Sequence, residues 1–173
     1  MIAALIVAAA VTTFSIGGAR PSAHQLSAAV AAAVRGKLLA ELNAHRRAAG
    51  IRPLGSDAIA QAAAQIQADD MAATDVFGHG DAYGRLPMTR YETLGGTARF
   101  YGENVGWYGA RVTQLDAVWR AVAELDSQMM AERPPNDGHR RNILAARFEA
   151  VGIAFAIGPH GLYFAEDFVG YLR

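Results

Sequence analysis

The sequence predicts an α+β fold in which helices pack on an antiparallel sheet. Apolar residues recur at helical spacing in separate segments, and the chain closes with two β-rich segments joined by a Gly-Pro-His-Gly turn, as a hairpin requires. With 173 residues, 52% of them hydrophobic, the chain is long and apolar enough to bury one core. We therefore expect a single domain without internal repeats.

Two helices are predicted in the first half of the chain. The first begins at Leu26, carries apolar residues at every fourth position and ends near Gly50, which suits a helix C-cap. The second begins after Ser56 and Asp57, either of which can cap its amino terminus, and runs through Ala72. Residues 78–97, rich in glycine and polar groups, are expected to form a long surface loop.

A third helix is predicted from Thr113 to the Pro-Pro-Asn-Asp-Gly segment at residues 134–138, which is a strong helix breaker. A short helical turn is expected at residues 139–146. The inner face of the third helix is predicted to carry Leu115, Val118, Trp119, Val122, Leu125 and Met129, with Trp119 and Met129 in the core.

Three strands complete the predicted sheet. Residues 99–107 have the aromatic and β-branched content of a strand, although glycines interrupt it. Residues 151–157 and 162–169 are predicted as the arms of the closing hairpin. Trp107 follows Gly106, where it can either line a groove or form part of an exposed aromatic turn.

Composition and missing motifs exclude several functional classes. Sixteen basic against sixteen acidic residues argue against nucleic-acid binding, which needs a concentrated basic surface. The absence of cysteine excludes thiol catalysis, disulfides and Cys-ligated metals. The sequence has no Gly-x-Ser-x-Gly, P-loop or His-Glu-x-x-His motif, so the corresponding hydrolase, nucleotide and zinc-protease classes are unsupported.

The first 25 residues are predicted to be a signal peptide or an apolar anchor. Residues 2–16 carry no charge and are followed by small residues and a proline, which is typical of an export signal although a basic start is missing. We expect a secreted or extracytoplasmic protein, whose folded domain spans residues 26–173. Only the amino-terminal segment is expected to contact a membrane.

Three polar clusters interrupt the apolar periodicity, at residues 77–81, 101–106 and 137–144, and they contain His79, Glu103 and His139. A histidine in a glycine-rich loop is more often a capping or surface residue than a ligand, so each cluster alone is weak evidence. Taken together and in this order, the chain resembles the CAP superfamily (cysteine-rich secretory proteins, antigen 5 and pathogenesis-related proteins) in its cysteine-free bacterial form. The resemblance covers roughly residues 36–170.

This resemblance implies an α-β-α sandwich with a central cleft, into which family members direct two histidines and two glutamates. His79, Glu103 and His139 match three of these four positions. The second glutamate usually lies three residues after a tryptophan, but the residue three after Trp119 is Val122.

Two other glutamates can take the fourth position. Met129-x-x-Glu132 has the family's spacing with methionine in place of tryptophan, so Glu132 is preferred, and Glu124 is the second choice. Simple bacterial members often lack this glutamate altogether.

Such a tetrad can hold a divalent ion, Zn²⁺ above all, with His79 and His139 as ligands and Glu103 orienting an imidazole or ligating directly. We expect the two imidazoles to converge within about 7–8 Å. Glycines beside all three segments, at 78, 80, 102 and 138, are expected to let the backbones approach closely. The core is expected to fold without metal.

Three functions compete. The preferred one is a monomeric binding module whose cleft takes a lipid, a cell-envelope component or a peptide. The alternative is a metal-assisted hydrolase of envelope or extracellular material, and the third is a purely structural domain. The sequence leaves open whether the protein is an enzyme, because it carries no complete set of nucleophile, base and orienting residue. His24, His45 and His160 show no partner pattern and receive no role.

Overall fold

The computed structural model describes residues 26–171. The predictions for the first 25 residues therefore lie outside the described part. The elements in chain order are α1 (Ala28–Ala48), β1 (Gly55–Ser56), α2 (Ala58–Thr74), α3 (Pro87–Thr93), β2 (Phe100–Tyr108), α4 (Leu115–Ala131), α5 (Gly138–Ile143), β3 (Ala150–Gly158) and β4 (Gly161–Gly170).

The four strands form one sheet in the order β1-β3-β4-β2. β3 and β4 are the predicted hairpin, and β2 runs antiparallel to β4 along its other edge. The two-residue strand β1, which was not predicted, pairs in parallel with the start of β3. The predicted α+β fold is confirmed, with this short parallel pair added at the sheet edge.

Helices cover both faces of the sheet. Every residue of β3 and β4 is buried, which requires cover on both sides of the hairpin. One face packs against α1, α4 and α5 through large side chains such as Phe155 and Phe164, whose rings stack 6.1 Å apart. The opposite face, with Ala154 and Ala165, packs against the alanine-rich α2. The resulting order of layers is the expected α-β-α sandwich.

Two predicted end signals, Asp57 and Gly50, act as expected, whereas the cap at Ser27 was not predicted. Ser27 and Asp57 cap α1 and α2 by accepting hydrogen bonds from Val30 and Ala60. Gly50 adopts a left-handed φ of 72° just beyond α1. Trp119 differs from the prediction: it is half-buried and packs on the margin of the core, with Lys37 over its ring, whereas Met129 is fully in the core.

The predicted loop at residues 78–97 contains an unpredicted helix, α3. Pro87 occupies its first turn, where a missing N–H is harmless, but seven residues are too few to show helical periodicity. Arg90 and Tyr91 from this helix are buried. The loop is therefore anchored in the fold.

Candidate functional site

An open cavity of about 800 Å³, here called the cleft, lies where the loop after α2, strand β2 and helix α5 meet. All four residues of the preferred tetrad border it, together with two arginines and two asparagines. The polar and charged residues that line the cleft are His79, Glu103, Glu132, Asn136, His139, Arg141, Asn142 and Arg147.

The first pair in the cleft joins the loop after α2 to β2. His79 Nδ1 lies 2.8 Å from Glu103 Oε1, with the histidine side chain 51% exposed and the glutamate side chain 1% exposed. Because a carboxylate accepts, Nδ1 carries the proton and Nε2 is left as the nitrogen available to a ligand. The predicted orienting role of Glu103 matches this geometry.

Arg90 of α3 contacts both residues of the His79–Glu103 pair. Its guanidinium forms an ion pair with the second oxygen of Glu103 and donates to the carbonyl oxygens of His79 and Arg85, at 2.9 Å each. The Arg90 side chain is fully buried. One buried cation thus positions both the carboxylate and the backbone of the histidine loop. Arg90 was not predicted as a site residue, and Pro87 is the one sequence signal that could have suggested its helix.

The second pair joins the end of α4 to α5. His139 Nδ1 lies 2.5 Å from Glu132 Oε1, and Glu132 Oε2 accepts from the backbone amides of His139 and Arg140 at 3.0 and 3.3 Å. The carboxylate therefore satisfies amides at the start of α5 while it orients the imidazole. Glu124, the second choice for this position, is exposed and bonds Gln128 on the outer face of α4.

Amide side chains link the two pairs. Asn142 Nδ2 donates to the backbone oxygen of Glu103 at 3.2 Å and to Asn104 Oδ1 at 2.9 Å. Asn104 Nδ2 donates in turn to the backbone oxygen of His139 at 3.3 Å. The relative position of the two histidine segments is thus set by direct hydrogen bonds between β2 and α5.

A buried carboxyl group with a raised pKa, that of Asp167, lies beside the first pair. Asp167 faces Glu103 across the register of β2 and β4. Burial raises the pKa of Asp167 well above its usual range, and the neighbouring Glu103 charge adds to the rise. Burial likewise raises the pKa of Tyr101, whose hydroxyl donates to Asp167. Arg90 forms its ion pair with Glu103, so burial and the Glu103 charge disfavour the charged form of Asp167.

The expected role of the glycines is correct at one position only. A Cβ on Gly102 would lie 2.8 Å from the Phe148 ring and 2.9 Å from Asn142 Oδ1, so this glycine permits a close approach. A Cβ on Gly78, Gly80 or Gly138 would meet nothing within 4 Å. The prediction that these three allow close backbone contact was wrong.

An apolar groove of about 350 Å³ continues from the cleft and shares Glu132 and His139 with it. Trp107, which is 48% exposed, borders this groove, so the first of its two predicted roles is the correct one. The apolar residues of the groove are Phe77, Val105, Trp107, Leu125 and Met129.

The two imidazoles, each hydrogen-bonded to a glutamate, can bind a metal ion. They can also form hydrogen bonds with a polar ligand, as donors or as acceptors. Ligating histidines commonly bond a carboxylate through the other ring nitrogen, and both pairs have this arrangement. Within residues 26–171, however, the one group whose three donor atoms lie within 4.8 Å of one another is elsewhere, at Glu41, His45 and Asp126. Among the described residues the cleft thus offers no group of three donors this close together, and an ion held by the two imidazoles would need water or a ligand to complete its shell.

His45 and His160, which received no role from the sequence, both have acidic partners. His45 Nε2 lies 2.9 Å from Asp126 Oδ2, and His160 Nε2 lies 3.5 Å from Asp75 Oδ2. Each partner lies far away in the sequence, so no local pattern could indicate either pair. His24 is outside the described residues.

Comparison with known proteins gives a family and a fold. The sequence profile of the cysteine-rich secretory protein family (CAP) matches residues 39–171. No curated protein matches the sequence. Within residues 26–171 no helix has both the length and the apolar character needed to cross a bilayer.

The fold is similar to that of three bacterial proteins. An outer surface protein of Borrelia burgdorferi is 14% identical, with a TM-score of 0.68, 87% of this chain covered and 99% of that one. An extracellular protein of Bacillus anthracis with an SCP domain is 16% identical, with a TM-score of 0.63 over 81% of this chain. A cysteine-rich secretory protein of Staphylococcus aureus, also 16% identical, has a TM-score of 0.57 over 81% of this chain. The chain spans only 41% and 39% of the last two proteins.

Proposed function

Because the chain belongs to the cysteine-rich secretory protein (CAP) family, we propose that it is an extracytoplasmic binding domain whose cleft holds a ligand between His79 and His139. The observation that carries this proposal is that two imidazoles, each braced by a glutamate through Nδ1, border one cavity. The names of the similar proteins, which include extracellular and outer surface proteins, support a place outside the cytoplasm.

A divalent ion suits this donor set. Nδ1–H donation to Glu103 and Glu132 leaves both Nε2 atoms as ligands, and imidazole is a preferred ligand of Zn²⁺. A bound ion would supply Lewis-acid polarisation of a ligand oxygen. Glu103 and Glu132 hold both rings in the tautomer that carries its proton on Nδ1. The second carboxylate oxygen of Glu103 is bound by Arg90, and that of Glu132 by the backbone amides at the start of α5.

The ligand is expected to be amphipathic. Arg141 and Arg147 border the cleft and favour an anionic or polar group there, while the apolar groove begins at His139 and accepts an alkyl chain or an apolar side chain. A lipid or a peptide with an apolar side chain meets both requirements. Fluorescence of Trp107 should shift to shorter wavelength on titration with oleate, and a Trp107→Phe variant should lose this signal; an unchanged spectrum would argue against the groove.

Calorimetric titration with Zn²⁺ tests the cleft. We expect His79→Ala and His139→Ala each to weaken Zn²⁺ binding at this site at least tenfold with little change in stability, because both side chains are partly exposed. His160→Ala, which removes an exposed histidine outside the cleft, is the control. Equal Zn²⁺ binding by all three variants would contradict the proposal. Zn²⁺-dependent hydrolysis of a peptide or ester, lost in His139→Ala, would instead support the hydrolase.

A further inference from the structure

A cluster of donor atoms lies between α1 and α4, outside the lining of the cleft. Glu41 and His45 are one helical turn apart on α1, and Asp126 faces them from α4. One donor atom from each residue lies within 4.8 Å of the other two. We propose that Glu41, His45 and Asp126 form a divalent-cation site that links α1 to α4, here called the α1–α4 site.

The distances suit a small ion. Two ligand atoms on a tetrahedral Zn²⁺, at about 2.0–2.2 Å from the metal, lie roughly 3.3 Å apart. His45 Nε2 and Asp126 Oδ2 already lie 2.9 Å apart, so a separation of a few tenths of an ångström admits the ion. The ion takes the place of the proton at Nε2, and His45 binds it as a neutral imidazole with a proton on Nδ1. The Nε2 proton therefore moves through solvent to Nδ1, or is released to solvent if the ring starts as the imidazolium.

The burial of Asp126 supplies a second observation. Its side chain is 3% exposed, and among the described residues Oδ1 has no hydrogen-bond partner although Oδ2 meets His45. Glu166, which is fully buried on the facing strand, also has an oxygen without a hydrogen-bond partner among the described residues, and the charge of Asp126 adds to the burial that raises the pKa of Glu166. A buried carboxylate with a free oxygen is costly unless a donor or a cation completes it.

Access and chemistry favour the same class of ion. The His45 side chain is 26% exposed, so an ion can enter from solvent. One imidazole with two carboxylates favours a borderline ion such as Zn²⁺ over the harder Mg²⁺ and Ca²⁺, which prefer oxygen ligands alone. Because its ligands come from two helices, the ion would stabilise the packing of α1 against α4.

The exposed pair of His160 and Asp75 provides a matched control. It has the same residue types at 3.5 Å, with side chains 63% and 49% exposed, and belongs to no group of three close donors within residues 26–171. An ordinary His–Asp ion pair at the α1–α4 site would give the protein some stability, but no stability that depends on metal.

The experiment uses the full chain carrying His79→Ala and His139→Ala, which removes the imidazoles of the cleft, and titrates it with Zn²⁺ alone. We expect one ion per chain and a melting temperature that rises with Zn²⁺. Adding Glu41→Gln or His45→Gln should weaken binding at least tenfold and remove the rise, while adding His160→Gln should change neither.

Two results would overturn the proposal: no Zn²⁺ bound by the cleft-deficient chain, or binding that Glu41→Gln and His45→Gln leave unchanged. Glu41→Gln keeps the His45–Asp126 contact, so it decides the question if His45→Gln fails to fold. A different result would contradict the cleft proposal: the wild type and the cleft-deficient chain would then bind equal amounts of Zn²⁺.

Discussion

The guanidinium of Arg90 and the carboxylate of Glu103 form an ion pair from which solvent is excluded, with side-chain exposures of 0% and 1%. The same guanidinium holds the carbonyl of His79, whose imidazole is 51% exposed on the cleft side. A buried ion pair thus positions the solvent-accessible imidazole of His79. This relationship makes the stability of the histidine loop depend on one residue of α3.

Replacing Arg90 by Met should reduce the free energy of unfolding by about 3–5 kcal/mol, because Glu103 would keep a buried charge without its partner. Urea unfolding measures the change, with exposed Arg99→Met as the control. The double variant Arg90→Met/Glu103→Gln should recover part of the loss. A loss below about 1 kcal/mol would show that the buried pair is not needed.

Arg46 should contribute as much to stability as Arg90 does, because it anchors the segment around the end of α5 that borders the cleft. Its buried guanidinium donates to four backbone oxygens in the segment before β1 and around the end of α5, at 2.8–3.0 Å: those of Arg52, Ile143, Ala145 and Phe148. Arg46→Met should cost about 3 kcal/mol or more, since it leaves buried acceptors unpaired. Its exposed neighbour Arg47→Met should change the unfolding free energy by under about 0.5 kcal/mol. Equal effects would refute the anchoring role.

Two glycine-to-alanine substitutions should change the free energy of unfolding in opposite directions. A Cβ on Gly152 would lie 2.0 Å from the backbone nitrogen of Gln61, so Gly152→Ala must push α2 away from β3. We expect it to cost at least about 2 kcal/mol or to prevent folding. Gly36, inside α1 with open space around its Cα, should stabilise the protein by about 0.5–1 kcal/mol when changed to Ala. Thermal melting of both variants checks the contrast, and similar melting temperatures would contradict it.

Glu166 should make stability depend on pH. Burial, with the Asp126 charge adding to it, raises the pKa of Glu166 to about 8, from 4.5 for the free group. The folded state therefore holds a proton that the unfolded state has lost, so the unfolding free energy falls between pH 4.5 and 8, by up to about 1.4 kcal/mol per pH unit. Glu166→Gln should lack this decline and be the more stable protein at pH 8. Parallel stability profiles in EDTA would contradict the prediction.

The layers of the fold were predictable because their signals are local. Apolar spacing marks α1 and α4, and the Gly-Pro-His-Gly turn between two β-rich segments marks the hairpin. α3 was not predicted because seven residues are too few to show helical periodicity. β1 was not predicted because two residues cannot show the alternation of apolar and polar residues typical of a strand. The parallel pairing of β1 is a long-range contact without a local signature.

The site was predictable only in part, for a similar reason. Resemblance to a family placed His79, Glu103, Glu132 and His139 near one another, and the structure brings all four to the cleft. No local pattern could show that Arg90 lies behind Glu103, or that Asp126 meets His45 across 81 positions of sequence. Such pairs follow from the packing of distant helices, which sequence spacing does not encode.

The most direct test of the cleft is long-range ¹H–¹⁵N NMR of the histidine rings, before and after addition of two equivalents of Zn²⁺, enough to fill both the cleft and the α1–α4 site. We expect His79 and His139 both to carry the proton on Nδ1 in the free protein, and both Nε2 signals to shift together on Zn²⁺ addition. Protons on Nε2 in the free protein, or a Zn²⁺ response from one ring alone, would contradict a shared site.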